Sequence, residues 1–135
     1  MEKISDTRRE LLAIMAAFGA GSASTALAQD PVKVAPRNFR VALENDKVRV
    51  LEFYSKPGLG LCGQGKHWHP AHLSISLTPV KARVTLENGK TIVAEDKAGT
   101  VFWAPAESHV AENIGKNDAH GYIVELKDAN WKPST

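Results

Sequence analysis

Polar and apolar positions alternate along much of the chain. From Val48 to Tyr54, Val48, Val50 and Glu52 fall on one side of an extended segment and Arg49, Leu51 and Phe53 on the other, which is the two-residue period of a strand. The same period sets His72, Ser74 and Ser76 against Leu73, Ile75 and Leu77. Further strands are predicted over Asn38 to Leu43, Ala82 to Leu86, Thr91 to Ala94, Thr100 to Trp103, His109 to Ile114 and Gly121 to Leu126. Turn chemistry separates them. Glu44-Asn45-Asp46 forms one turn cluster, Thr78-Pro79 breaks the ladder, Asn88-Gly89 is the pair that favours a type I′ hairpin, and Asp96 to Gly99 is another turn. Ser55 to Lys66, with Pro57, Gly58, Gly60, Gly63 and Gly65, reads as a loop. Eight or so short strands, and beyond residue 28 no helical period of ten residues, point to an all-β sandwich or barrel.

The start of the chain breaks this pattern. Arg8 and Arg9 precede the apolar run Leu11 to Ala20, and Ala26-Leu27-Ala28 has the small-x-small form of a cleavage site, so residues 1–28 read as an export signal and the mature chain is expected to begin at Gln29. The apolar run is too short for a membrane span, which needs about 20 residues. Thr7-Arg8-Arg9-Glu10-Leu11-Leu12 resembles a twin-arginine signal, with an ordinary secretory signal as the other reading. Either implies a periplasmic or secreted protein. Residues 29–37 are expected to be a linker or edge segment, 38–127 the β-domain, and 128–135 a loosely packed tail, polar apart from Trp131.

Composition narrows the function. The 135 residues suit one domain, and 43% hydrophobic content suffices for a core. Seventeen basic and 15 acidic residues give a formal charge of +2 with no basic run, which argues against a nucleic-acid partner. A single cysteine, Cys62, excludes an internal disulfide, and no helix N-terminus or basic cluster is visible in the sequence to activate its thiol.

Candidate chemistry lies in His67-Trp68-His69-Pro70-Ala71-His72, which holds three of the five histidines. His67 and His69 share a face of an extended segment and form a ready chelate, and His72 follows the turn expected at Pro70. A fourth histidine, His109, stands in Gly99 to Asn113, and a closed barrel is the arrangement that brings such distant strands face to face. Clustered imidazoles suit iron, zinc, copper or nickel better than magnesium or calcium. His120, beside the Asn117-Asp118 turn, is expected to be exposed and outside the site; Glu107 and Glu112 are expected in solvent, with Glu107 close enough to His109 to assist it.

This order of elements resembles the cupin family. There, a first motif supplies His-x-His and then a glutamate, and a second, Gly-x5-Pro-x-Gly-x2-His-x3-Asn, supplies another histidine. Here Gly65 leads to His67-x-His69, and Gly99-x5-Pro105 leads to His109-x3-Asn113. Two departures stand out: the glutamate positions hold Leu73 and Ser74, and Pro105 to His109 is one residue short, with Glu107 where glycine is usual. The resemblance implies a single antiparallel β-barrel of jelly-roll type. It implies that His67, His69 and His109 bind a divalent transition metal (iron, zinc, copper, nickel or manganese), with His72 as fourth ligand or neighbour. It implies either a metal-dependent oxidoreductase of dioxygenase type acting on a small molecule, or a non-catalytic metal- or ligand-binding module. The edge strand Asn38 to Leu43 makes a homodimer reasonable.

Overall fold

The alternation becomes nine antiparallel strands among the described residues: β1 (Phe39–Glu44), β2 (Val48–Ser55), β3 (His67–His69), β4 (His72–Ser76), β5 (Val80–Leu86), β6 (Thr91–Asp96), β7 (Val101–Ala104), β8 (Glu107–Asn113) and β9 (Ala119–Leu126). The structure is a computed structural model that describes residues 29–60, 65–128 and 131. The expected signal, its cleavage site and Cys62 lie outside the described residues.

Two sheets form, one in the order β1-β2-β9-β4-β7 and the other β3-β8-β5-β6. Their inner faces meet in a jelly roll, because each strand turns one alternate set of side chains inward. Leu51 and Phe53 of β2 and Ile123 of β9 pack with Ala82, Val84 and Leu86 of β5 in the buried core. The outer face of the five-stranded sheet is also apolar along one row. Cross-strand register aligns Leu43, Val50, Val124, Leu73 and Trp103, one residue from each strand, and Leu43 and Trp103 at the two edges are exposed.

Two local expectations are corrected. The stretch read as a linker or edge segment contains a one-turn helix, α1 (Pro31–Val34), because Asp30 caps it through Oδ1, which accepts from Val32 N at 3.1 Å, while Pro31 supplies a helical φ at the first position. This segment is tied to β3, where Trp68 N donates to Gln29 O at 3.0 Å. The β5–β6 hairpin is not type I′, since among the described residues no non-glycine residue has positive φ; Gly89 alone takes φ 83° there, after a turn closed by Gly89 N donating to Leu86 O at 2.9 Å. Of the tail, residues 128 and 131 are described, and the Arg49 guanidinium lies 5.1 Å from the Trp131 ring centroid. No helix among the described residues is long and apolar enough to cross a membrane.

Gly121 of β9 marks where the inner wall is tightest. A Cβ there would stand 2.3 Å from Ile75 O and 2.6 Å from the Phe53 ring, and the carbonyl belongs to a paired strand that cannot move aside cheaply. Gly121→Ala is therefore expected to destabilise the domain by about 1–3 kcal/mol, the range of overpacked cores, as measured by urea unfolding. An unchanged unfolding midpoint would show that β4 and β9 are not packed this closely.

Candidate metal centre

Strand pairing assembles the site. In the β3–β8 ladder His67 faces His109 and His69 faces Glu107, so four side chains occupy one inward patch of the four-stranded sheet. The five-stranded sheet supplies the opposite wall through His72 of β4 and Glu125 of β9, which are themselves cross-strand partners. All four histidines are buried, with exposures of 1% for His67, 0% for His69, 3% for His72 and 8% for His109.

His67, His69 and His109 converge. Each offers one ring nitrogen to a set lying within 4.8 Å of one another, and the ring centroids of His67 and His109 are 4.7 Å apart. The His67 Nδ1 lies 3.3 Å from Gly65 O, and because a carbonyl only accepts, that nitrogen carries the proton and Nε2 the lone pair. His69 Nδ1 is likewise occupied, 2.9 Å from Glu125 Oε1. The Nε2 atoms of His67 and His69 are buried and have no hydrogen-bond partner. Leaving a buried polar atom unsatisfied costs roughly 1–3 kcal/mol, and coordination to a cation removes that cost. The donor set thus fits a divalent transition metal, which three neutral imidazoles would hold with coordination positions left over.

His72 stands beside this set without joining it. Its ring is 5.0 Å from that of His69, its Nδ1 donates to Pro70 O at 2.7 Å, and its Nε2 points toward Glu107 Oε1 at 3.8 Å. Glu107 is not solvated as expected. Its side chain is 6% exposed, Oε1 lies 3.0 Å from His109 Nδ1, and Oε2 is buried without a hydrogen-bond partner. Glu112 does sit at the surface, paired with Arg83 at 3.2 Å, and His120 lies outside the site, 2.8 Å from Glu52 and about one-third exposed.

Glu125 and its supports form a chain that the motif reading did not contain. Arg49 Nε donates to Glu125 Oε2 at 2.7 Å, and its two terminal nitrogens grip Asp30 at 2.9 and 3.1 Å. A hydrogen-bonded line therefore runs from the cap of α1 to His69. Burial works against the Arg49 charge, yet the bonds to Asp30 and Glu125 outweigh it and hold the guanidinium firmly protonated. At Glu125 burial prevails over the Arg49 bond and lifts the carboxyl to about 7. Burial, reinforced by mutual repulsion among neighbouring imidazoles, lowers the His67 and His69 pKa values well below the ordinary histidine value; burial also lowers His72, against the pull of Glu107.

A cavity of about 80 Å³ opens below the histidines, lined by His69, His72, Glu107 and His109 at one end and by Phe53, Phe102 and Ile123 along its wall.

No family model matches the sequence, and no curated protein matches it. Solved structures do. A cupin domain from Bordetella pertussis superposes with a TM-score of 0.55 at 19% identity, over 67% of this chain and 92% of that one. The fold is that of the cupins. An RmlC-like cupin family protein with a double-stranded β-helix fold from Methanocaldococcus jannaschii matches at a TM-score of 0.53 and 16% identity, over 65% of this chain and 77% of that one. Oxalate decarboxylase matches at a TM-score of 0.52 and 22% identity, over 74% of this chain and 28% of that one. In this cupin barrel the three-histidine cluster is consistent with a transition metal.

The buried histidines give the metal-free protein a specific pH dependence. His67, His69 and His72 have lowered folded pKa values, so their contribution is complete above the unfolded value of about 6.5 and is lost as pH falls through it. Glu125 acts oppositely: raised from 4.5 to about 7, it holds a proton that the unfolded chain has released, and so adds stability as pH falls through 7. Three groups against one leave a net loss of at most about 2.7 kcal/mol per pH unit below pH 6.5. Denaturant unfolding in chelator between pH 7.5 and 5 measures it; a flat or rising stability would contradict the buried neutral cluster.

Proposed function

We propose that the protein is an exported metal-binding cupin in which His67, His69 and His109 hold iron, zinc, copper, nickel or manganese, and that it acts as an oxidoreductase of dioxygenase type on a small molecule bound in the barrel. The observation that carries the metal reading is the convergence of three imidazoles in which the Nε2 atoms of His67 and His69 are buried and unpartnered. A metal there supplies Lewis acidity or a redox couple. The protein's own residues orient and enclose. Glu125 fixes the His69 ring through Nδ1, Glu107 stands against His109, and Phe39, whose ring centroid is 6.1 Å from that of His69, helps keep water from the back of the cluster. Glu107 lines the cavity beside His109, within reach of a molecule bound there. The alternative is a non-catalytic periplasmic module that binds a metal or small ligand.

His109→Ala is expected to abolish stoichiometric metal binding, because the two remaining imidazoles lie on one short strand. His72→Ala is expected to leave stoichiometry intact and to cost about 10 to 100-fold in affinity or activity if His72 only neighbours the ligands. Metal analysis of protein from its native compartment, with competition titrations on both variants, decides between them. Full retention of metal by His109→Ala would sink the site. Redox-active metal with oxygen consumption on a small molecule supports the enzyme; tightly held zinc without turnover supports the module.

Export is the other part of the proposal, resting on Arg8, Arg9 and the Ala26-Leu27-Ala28 pattern. Intact-mass measurement of the exported protein is expected to place its first residue at Gln29. Mature protein that keeps residues 1–28, or that stays in the cytoplasm, would remove the signal reading.

A further inference from the structure

Alternation gives each sheet an outer face, and the two outer faces differ in chemistry. On the four-stranded sheet, Val93 of β6 lies opposite Arg83 of β5 and is flanked by ion pairs, Lys81 with Glu95 at 2.7 Å and Arg83 with Glu112 at 3.2 Å. That face is solvated. On the five-stranded sheet, cross-strand register builds two apolar rows instead. One is the row from Leu43 to Trp103 described above, and the other runs from Tyr122 of β9 through Ile75 of β4 to Val101 of β7. The second row ends in charge at β2 and β1, where Glu52 pairs with Arg40 and with His120, the latter at 2.8 Å.

Val101 is 54% exposed, Trp103 44% and Leu43 51%, at the two edges of this face, and Leu73, Ile75, Tyr122 and Val124 between them are half-buried. Single exposed apolar side chains are ordinary, whereas a contiguous patch of them marks a contact surface. At about 4.8 Å between strands and about 3.3 Å per residue, the five strands and the outward residues of β2 and β9 give a face about 19 Å by 20 Å, or about 400 Å² in plan. Upright side chains add to this as accessible surface. Two such faces in contact bury on the order of 1,000 Å², the lower end for specific interfaces. The charge also suits self-contact. Arg40, Glu52 and His120 sit at one corner and are paired with each other, so two copies meet without like-charge repulsion and the corner serves as polar rim. An anionic lipid surface would ask for uncommitted cations around the patch, and Arg40 is committed to Glu52.

We propose that the outer face of the five-stranded sheet is the interface of a reversible two-fold homodimer, with Val101 and Trp103 of each copy seated on the apolar rows of the other. The sheets meet face to face, about 10 Å apart, and not by pairing along the edge strand β1. A two-fold axis uses the same patch on both copies, as this surface allows. The inference is independent of the metal and of the reaction, but it touches the site. β4 and β9 turn Leu73, Ile75, Tyr122 and Val124 outward and His72 and Glu125 inward, so the interface backs the wall that holds those two groups.

Sedimentation velocity of the exported chain, from low micromolar to near-millimolar concentration, tests the interface. The weight-average mass is expected to rise from monomer toward dimer. Val101→Glu and Trp103→Glu should each weaken dimerisation by at least about tenfold, as loss of an apolar anchor does. Both side chains are exposed in the single copy, so urea unfolding at high dilution should show the variants folded. If Trp103→Glu unfolds, Leu43→Glu at the opposite edge gives the same reading. Val93→Glu, at a position 46% exposed on the charged face, should change nothing. A chain that stays monomeric throughout, or a dimer that resists both Val101→Glu and Trp103→Glu, overturns the interface. So does a dimer broken by Ala42→Pro in β1 but not by Trp103→Glu, which would mark edge pairing. A monomer that floats with phosphatidylcholine vesicles overturns it too, because the face would then be covered by lipid.

Discussion

The Arg49 guanidinium, held between Asp30 and Glu125, is the contact on which the architecture of the site depends. It joins three separate parts of the chain: the segment before β1, strand β2 and the end of β9. Its charge is worth burying because five N–H groups in a fixed fork meet two carboxylates, and Trp131 covers its face. Removing one partner of such a buried group is costly, about 3–5 kcal/mol in comparable cases, because the remaining charge is left uncompensated. The far end of the line is Glu125, whose other oxygen meets His69 and whose carboxyl is lifted by burial to about 7. When that carboxyl is ionised it places a negative charge behind the His69 imidazole, where it favours a positive charge on the other side of the ring.

Register does the rest. Side chains alternate along a strand, so a slip of β3 by one residue against β8 would turn His67 and His69 out of the barrel and away from His109. β3 is an edge strand of three residues, too short to hold its register by itself. Its outer side is secured by Trp68 N donating to Gln29 O, and its inner side by the bond from His69 to Glu125. The segment that follows the expected signal thus belongs to the architecture of the site.

Most of the strands and the three converging histidines were legible because their cause is local: a two-residue period, turn residues and an His-x-His spacing. The supporting charges depend on contacts across the fold, and the clues to them were incomplete. Arg49 shares a face with Leu51 and Phe53, and Glu125 shares one with Gly121 and Ile123. A charge on an apolar face asks for a partner, but the alternation does not say which. Glu107 and His109 are two apart on a strand, so their common face was readable; burial of the carboxylate followed from β8 lying against β3. Asp30 before Pro31 has the form of a helix cap and was obscured by the prolines that made the stretch look irregular.

The missing glutamate of the first motif has a consequence for charge. Three neutral imidazoles leave a divalent cation's charge uncompensated at the first layer, whereas a ligating carboxylate would cancel part of it. Carboxyl groups stand one imidazole outward instead, Glu107 beside His109 Nδ1 and Glu125 beside His69 Nδ1. The hydrogen bond at His69 Nδ1 raises the basicity of the opposite nitrogen, so Glu125 strengthens that donor without occupying a coordination position. The positions a fourth protein ligand would fill are left to an incoming molecule, and the uncancelled charge favours an anionic head group over a neutral one. Substitution of serine for glutamate on β4 also clears the wall below the histidines, because Ser74 is short enough to leave a cavity where a longer acid would reach across it.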